Sequence, residues 1–232
     1  MEGWKRDGKG IYVNKTSKDK YEGDFKSDKA EGKGVAIYDN GDKYEGDYKD
    51  WNKDGKGIYY YNNGDKYEGD FKNDKSDGTG AYYYKNGNKY IGDFKKGVPE
   101  GNGIYYYNSG KYSGDRYEGQ IKNWNKDGKG VYYYSNGDIY EGDFRNDRRE
   151  GKGIYSYKNG DRYEGLWKKG SRNHYGVYSY HNGDSYDGDW KDDKKDGKGI
   201  YYYSNGDRRM GNYHEDKPVG KHIMLRKVEK FK

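Results

Sequence analysis

A short unit that begins with Tyr-x-Gly recurs along most of the chain and limits what the chain can fold into. Successive copies start 23 residues apart, except for one step of 27 residues between Tyr90 and Tyr117. A fixed period of this length is the signature of a repeat architecture, in which each unit packs mainly on its neighbours. The full copies begin at Tyr21, Tyr44, Tyr67, Tyr90, Tyr117, Tyr140, Tyr163 and Tyr186.

The spacing of the copies predicts three segments along the chain. Residues 1–20 contain a half copy, and residues 21–208 contain the eight full copies. Residues 209–232 contain a degenerate copy, a predicted capping strand around Ile223 and a basic tail. The longer step comes from an irregular insertion near residues 111–116, which forms either a longer turn, a bend in the array or a contact loop.

Each copy has the pattern of a β-hairpin. In the unit from Gly55 to Phe71, two β-prone runs flank Asn63-Gly64, and Asn-Gly between such runs is a strong hairpin signal. A two-residue loop would place Tyr60 opposite Tyr67, whereas a three-residue loop with a left-handed glycine would place Tyr59 there. Tyrosine is nearly uniform among the copies at the position of Tyr59 and varies at that of Tyr60, so we expect the three-residue loop.

The composition determines what kind of core these hairpins can share. Only 29% of the residues are hydrophobic, but 33 of the 232 residues are tyrosine. The tyrosine ring is apolar and its tip is polar, so it can build a thin, partly hydrated core. A single hairpin is marginally stable, and successive hairpins must therefore stack edge to edge. We expect an all-β fold, an elongated, twisted single-layer antiparallel sheet of tandem hairpins that is solenoid-like, with polar connections such as residues 72–77.

The repeat resembles that of the membrane occupation and recognition nexus (MORN) family. Tyr44-Glu45-Gly46-Asp47-Tyr48, then Gly55-Lys56-Gly57, then Asn63-Gly64 carry the resemblance, which covers about residues 3–213. The resemblance implies an elongated, twisted antiparallel sheet with a groove. It also implies scaffolding roles in the cytoskeleton, cilia and membrane-associated structures, and phosphoinositide binding.

The three-residue loop places one set of aromatic residues on a single face. Alternation along the strands brings Tyr59, Tyr61, Tyr67 and Phe71 together, with glycines between them. These rings either pack only on each other or form a groove for a helix or an extended peptide of a partner. Both can hold, because a single-layer sheet cannot bury both of its faces. The predicted contact residues are Tyr59, Tyr61, Tyr67, Tyr82, Tyr84, Tyr105, Tyr107, Tyr132, Tyr134 and Tyr155.

Two tryptophans occupy the same place in two connections between hairpins. Other copies carry charged or small polar residues where Trp51 and Trp124 stand. A loop tryptophan either contacts a partner or folds back over its own hairpin. The segment around Trp51 also imitates a calcium-binding loop, but Tyr61 stands where the bidentate glutamate is required. No metal site is therefore expected.

Charge is mixed along the whole chain. The net charge of +6 comes from 46 basic and 40 acidic residues without a concentrated basic stripe, so nucleic-acid binding is not expected. The C-terminal end is the exception. Its basic side chains either bind anionic lipid or stay solvated. This alternative lipid site consists of Lys221, Arg226, Lys227, Lys230 and Lys232.

No catalytic constellation is recognisable, because cysteine is absent and the four histidines are scattered. We expect no catalytic residues and no cofactor. The lack of cysteine, of a signal-like N-terminus and of an apolar run of about 18 residues favours a cytoplasmic location.

These observations favour a non-catalytic protein-interaction scaffold. Its aromatic groove face would bind a helix or peptide of a partner within a cytoskeletal, ciliary or axonemal assembly. The alternative is a peripheral membrane protein that binds anionic lipids such as phosphoinositides through basic loops and the tail. End-to-end association of two copies through the terminal units stays open.

Overall fold

The regular structure of residues 5–227, which the computed structural model describes, is almost entirely β-strand. One 3₁₀ turn, Gly110–Tyr112, is the other regular element in that range. The chain divides into a first unit, Met1–Gly114 with Ile121–Trp124, and a second unit, Asp115–Gln120 with Asn125–Lys232. The predicted all-β class of tandem antiparallel hairpins is confirmed. None of the described helical segments has the length and apolar character that crossing a membrane requires.

In the first unit, β1 to β8 each pair antiparallel with the next strand in the sequence, so the series runs from β1 to β9. These strands are β1 (Gly8–Val13), β2 (Lys20–Lys26), β3 (Lys29–Ile37), β4 (Lys43–Lys49), β5 (Asn52–Tyr60), β6 (Lys66–Lys72), β7 (Lys75–Tyr83), β8 (Lys89–Lys95) and β9 (Val98–Tyr106).

The division between the units falls within β10, and in the second unit β11 to β19 again pair in sequence order. These strands are β10 (Arg116–Lys122), β11 (Asn125–Tyr133), β12 (Ile139–Arg145), β13 (Arg148–Ser156), β14 (Arg162–Lys168), β15 (Ser171–Ser179), β16 (Ser185–Lys191), β17 (Lys194–Tyr202), β18 (Arg208–His214) and β19 (Lys217–Leu225).

The Asn-Gly turns have the predicted geometry. The Tyr61 amide donates to the Asp65 carbonyl over 3.0 Å and closes a loop of three residues. Gly64, the last of the three, has a φ of +94°, which is the left-handed conformation that glycine adopts at little cost. Tyr59 consequently lies opposite Tyr67, and the register derived from the repeat is confirmed.

The polar connections are shorter than predicted. Instead of a loop over residues 72–77, Lys72 pairs with Lys75, and β7 begins at Lys75. Asn73 and Asp74 form the whole turn, with φ values of 46° and 67°. Two successive left-handed residues match the right-handed twist of the flanking strands, and short polar residues adopt this conformation most readily.

A bulge follows each of these turns. Gly69 lies opposite Gly80, but Phe71 lies opposite Ser76, so β7 has two more residues in this stretch than β6. Asp70 stabilises the irregular segment, because its carboxylate accepts a hydrogen bond from the Thr79 amide over 2.9 Å. The aspartate of each Tyr-x-Gly-Asp motif therefore has a structural role in joining its hairpin to the next one.

The first tyrosine of each repeat lies flat across a pair of glycines. A Cβ atom placed on Gly57 would lie only 2.5 Å from Cε2 of Tyr44, and one on Gly46 would lie 2.6 Å from the Gly57 Cα. The Tyr44 side chain is completely buried, and its hydroxyl donates to the Asp47 carbonyl over 3.0 Å. The ring thus fills the space that two side chains would otherwise take.

These buried rings also connect each hairpin to the next. The Tyr44 ring meets the edges of Tyr48 and Phe71 at centroid distances of 5.2 and 5.0 Å. Edge-to-face contacts of this kind contribute about 0.5–1.5 kcal/mol beyond the area that they bury. The same inter-hairpin contact recurs at Tyr67–Phe94, Tyr140–Trp167, Tyr163–Trp190 and Tyr186–Tyr213.

The last strand pair, β18 and β19, keeps this arrangement with exchanged residues. Arg209 stands at the tyrosine position and His222 at the facing glycine position. The imidazole occupies the space of the missing ring, since a Cβ atom on Gly211 would lie 2.5 Å from its Cε1. Its Nε2 lies 2.9 Å from the Asn212 carbonyl oxygen, to which it donates as the tyrosine hydroxyls do in the other repeats.

The predicted capping strand around Ile223 is β19, which pairs with β18. Its aliphatic side chains are not covered within the described residues, and Ile223 is 57% exposed. Pro218, Lys217 and Lys221 lie on the same strand, and proline and lysine are residues that discourage pairing with another edge.

We predict that Gly57→Ala lowers the free energy of unfolding by about 1–3 kcal/mol, because the added methyl group overlaps the Tyr44 ring. Urea denaturation followed by tyrosine and tryptophan fluorescence measures the change. Lys56→Ala, an exposed neighbour on the same strand, is the matched control and should cost less than about 0.5 kcal/mol. Equal losses in both variants would contradict the packing described here.

Candidate functional site

A continuous strip of half-buried tyrosines runs over the first unit. Their rings contact in the order Tyr59, Tyr61, Tyr82, Tyr84, Tyr105, with centroid distances of 4.7, 5.7, 4.7 and 5.8 Å. Tyr107 follows, 4.4 Å from Tyr105. We call these six residues the tyrosine strip. They are the six predicted contact residues of the first unit that keep part of their ring exposed.

Other predicted contact residues lie too deep to touch a partner. Tyr67 is 1% exposed and belongs to the buried rings on the glycine pairs. In the second unit, Tyr132 and Tyr155 are 7% and 9% exposed, whereas Tyr134 is half-buried. We therefore remove Tyr67, Tyr132 and Tyr155 from the contact set, because their role is to pack beneath the exposed rings.

Aspartates in the Asn-Gly turns hold the strip in place. Asp65 accepts the Tyr82 hydroxyl over 2.9 Å and the Lys85 amide over 2.8 Å. Each such carboxylate joins one turn to the next, and Asp42 does the same for Tyr59 and Asn62. The strip is thus ordered before any partner binds, and little rotamer entropy remains to be lost on binding.

Asp161 is one of the equivalent turn aspartates in the second unit, and its pKa lies well below the ordinary value. Burial acts to raise the pKa of Asp161, but hydrogen bonds outweigh it and lower the pKa to about 2. The donors are the backbone amide and ring of His181, the Tyr178 hydroxyl and the Asn159 side chain. Asp161 is ionised at neutral pH and serves as a fixed acceptor.

Cations cover the aromatic face of the second unit. The guanidinium groups of Arg149 and Arg172 lie 4.2 and 4.4 Å from the centroids of Trp167 and Trp190. Lys126 and Lys195 occupy the same place in their repeats, 5.6 and 5.2 Å from the rings of Tyr132 and Tyr201. Each cation over a ring is stabilised by the ring quadrupole, by about 0.5–2 kcal/mol depending on its exposure.

The first unit has an interruption in this series of cations. Lys53 lies 5.4 Å from the Tyr59 ring, but Ser76 and Pro99 stand at the equivalent positions of the next two repeats. Among the residues that the structure describes, no lysine or arginine lies over the rings of Tyr61, Tyr82, Tyr84 or Tyr105.

Both tryptophans predicted as loop contacts pack on a preceding hairpin. Trp51 lies 5.6 and 5.7 Å from the rings of Tyr21 and Phe25, in the repeat where Ala30 stands at the cation position. Trp124 lies 5.2 Å from Tyr82, and also contacts Tyr84, Tyr90 and Phe94. Neither ring folds over its own hairpin, and both stay about one third exposed, at 36% and 37%.

The described basic residues of the alternative lipid site lie on or just after the last strand of the second unit. Lys221 lies on β19, and Arg226 and Lys227 follow that strand with exposed side chains. Lys230 and Lys232 lie outside the described residues. Residues 5–227 contain no cluster of three or more His, Asp or Glu side chains arranged to hold a metal ion.

The sequence-based prediction missed the position that carries a cation in some repeats and serine or proline in others, although this variation is visible when the copies are compared. Residues Ala30, Lys53, Ser76 and Pro99 stand at one position of successive copies. Their meaning depends on the bulge, which brings this position over the aromatic face. The repeat pattern alone does not reveal the bulge.

We predict that Asp161 contributes stability that is fully present above about pH 4 and is lost as the pH falls towards 2, because its folded-state pKa is depressed below 3.8. The difference in unfolding free energy between wild type and Asp161→Asn should shrink by roughly 1–2 kcal/mol over this interval. Urea denaturation at pH 5, 4, 3 and 2.5 measures it. A difference that is independent of pH would disprove the assignment.

Three solved structures resemble this chain weakly. The E1021V mutant of the TCP10 domain of Danio rerio CPAP is 15% identical, with a TM-score of 0.40, over 94% of this chain and 99% of that chain. The Drosophila melanogaster SAS-4 (dCPAP) TCP domain, in complex with a proline-rich motif of Ana2 (dSTIL), is 14% identical with a TM-score of 0.26, over 94% and 90%. The G-box domain of the microcephaly protein CPAP is 11% identical with a TM-score of 0.28, over 95% and 100%.

No curated protein matches the sequence. The MORN repeat model matches residues 21–43, 44–66, 67–89, 90–112, 117–139, 140–162, 163–185 and 186–208. These segments include every tyrosine that lies on a glycine pair and the whole tyrosine strip. The chain therefore belongs to the MORN repeat family.

Proposed function

We propose that this protein is a non-catalytic interaction scaffold that binds a helix or an extended segment of a partner protein over the tyrosine strip of its first unit. The finer assignment, to a cytoskeletal or ciliary assembly, follows from the family resemblance and belongs to the same proposal. Membership of the MORN family and the preorganised strip support it.

The observation that carries the proposal is the interruption in the covering cations. In the second unit, side chains such as Arg149 and Arg172 lie over the tyrosine rings and cover the ring faces. Within the described residues of the first unit, no cation covers the rings at Ser76, and Trp124 rather than a cation packs on Tyr82 and Tyr84 in the repeat of Pro99. A partner would supply what the chain lacks there, namely basic or apolar side chains that rest on the tyrosine rings.

Rigid aromatic rings suit this role. The hydroxyls of Tyr59 and Tyr82 already donate to Asp42 and Asp65, so a partner need not satisfy them. The contact is then made with ring faces and edges, which contribute large area at a small cost in side-chain entropy.

We predict that Ser76→Arg blocks partner capture, because an arginine at this position would cover the Tyr82 ring as Arg149 covers Tyr155. A photoreactive benzoylphenylalanine replaces Tyr84 on the strip, and cross-linked partners are recovered from native cell extract. Ser76→Arg should lower the yield of cross-linked product at least about tenfold. Ser76→Ala, which adds no side chain over the rings, is the matched control and should retain the yield.

The same photoreactive residue in place of Tyr83, which lies on the opposite face of β7, reports the face that is used. A product that forms equally from positions 83 and 84, or that survives Ser76→Arg, would refute binding on the strip. Sedimentation with anionic vesicles at two salt concentrations tests the lipid alternative. Salt-sensitive vesicle binding without any protein cross-link would favour that alternative instead.

A further inference from the structure

The face opposite the aromatic rings has a regular pattern of its own. On four of the described strand pairs a lysine and an aspartate form an ion pair across the strands, as Lys33 does with Asp47 over 2.7 Å and Lys129 with Asp143 over 2.6 Å. A row of aliphatic side chains lies two residues further along every second strand. In the second unit this row consists of Val131, Ile154, Val177, Ile200 and Ile223.

Two successive ion pairs of this face are replaced by apolar residues in the second unit. Leu166 stands opposite Lys152, where an aspartate would be expected. Tyr175 stands opposite Asp189, where a lysine would be expected. The replacements lie on the adjacent strands β14 and β15, so they create one apolar area.

The apolar area lies in an open groove with a volume of about 770 Å³. Its floor is backbone at glycines such as Gly142 and Gly153, and its walls include Val131, Ile154, Leu166, Tyr175 and Val177. The Tyr175 side chain is 53% exposed.

The two walls of the groove carry opposite charges: Lys129 and Lys152 lie on one wall, and Glu141 and Glu164 alternate with the aliphatic residues of the other. Because Leu166 replaces the expected aspartate, the Lys152 ammonium forms no ion pair with any residue in the range 5–227. A carboxylate from an occupant would complete the pairing that four other strand pairs make internally.

The dimensions of the groove decide which backbone fits. Each wall is a row of side chains, and the two rows are two residues apart along each strand, a separation of about 6.6 Å. A helix with its side chains is about 10–12 Å wide. Along the groove, equivalent apolar residues recur on every second strand, at a spacing of about 9.6 Å. In a polyproline II chain every third residue faces the same side at a spacing of about 9.3 Å, while a helical heptad advances about 10.5 Å.

We propose that this groove binds an extended segment of a partner protein in the polyproline II conformation, with an apolar residue at every third position and an acidic residue that pairs with Lys152. The apolar residues enter between Val131, Ile154 and Val177, and a proline ring packs on the exposed ring of Tyr175. The site lies on the face opposite the aromatic rings, and its existence does not depend on the function proposed for the strip.

A displayed peptide library of the pattern apolar-Pro-x, repeated four times, tests this proposal on the full chain. The key variant is the double substitution Leu166→Asp with Tyr175→Lys, which restores the residues that neighbouring repeats carry at Asp143 and Lys152. Because the repeat already accepts these residues, the variant should fold, and circular dichroism and the urea midpoint check that it does.

We expect enriched peptides that carry Asp or Glu at one or more of the x positions. The double variant should lower the affinity of these peptides at least tenfold, and Lys152→Gln should lower it several-fold, as measured by fluorescence anisotropy. Tyr61→Ser, on the tyrosine strip, should leave the affinity unchanged.

Several results would overturn the proposal. These are a library without enriched peptides, peptides that bind wild type and the double variant equally, and tighter binding of a helical heptad peptide of the same length. Light scattering tests the remaining occupant. A dimer of wild type that the double variant abolishes would show that the groove binds a second copy of the chain instead.

Discussion

The fold depends on a tyrosine ring that lies flat on two backbone segments from which side chains are excluded. The contact fixes which face becomes aromatic, because the Tyr44 ring must lie on the side to which Gly46 and Gly57 would otherwise direct a Cβ atom. It also explains how a chain with so few aliphatic residues forms a core. One ring covers the glycines of two adjacent strands from successive hairpins, donates a hydrogen bond to a carbonyl group at its tip and packs edge-on against the next hairpin. The final hairpin supports this account, since loss of the tyrosine at Arg209 coincides with a ring at His222, a position that is glycine in most repeats.

Once this contact has oriented the strands, the remaining positions of the repeat are free to vary. We expect the binding surfaces to lie where these positions differ between repeats. On the aromatic face, one position of the repeat is a cation in Lys53 and Arg149 but Ser76 in between. On the opposite face, Leu166 and Tyr175 each replace one member of a different ion pair. Both changes remove an internal partner without disturbing the tyrosine on its glycines. Each leaves a surface whose missing groups a second molecule can supply, and the two surfaces differ in chemistry, one aromatic and one aliphatic with an unpaired ammonium group.

Much of the fold follows from the sequence, since a two-residue periodicity and Asn-Gly turns determine register. The pairing of Tyr59 with Tyr67 could be chosen by comparing copies, because a constrained position tolerates less change. The tight turn at Asn73-Asp74 and the bulge after it could not, since charged residues in a row predict a polar loop equally well. The bulge determines which residue covers the rings, so the series of covering cations could not be predicted from the sequence. The pattern did not predict burial either: it places Tyr67 and Tyr82 on the same face, but only Tyr67 is enclosed by a neighbouring hairpin.

A double-mutant cycle at Tyr67 and Gly80 tests the central contact most directly. A Cβ atom on Gly80 would lie 2.6 Å from Cε2 of Tyr67, so the account predicts that Gly80→Ala is costly in wild type and nearly neutral when Tyr67→Leu has removed the ring. The coupling free energy from urea denaturation should exceed about 1 kcal/mol. Additive losses, with a coupling below about 0.3 kcal/mol, would show that the glycines are required for another reason and would contradict the account.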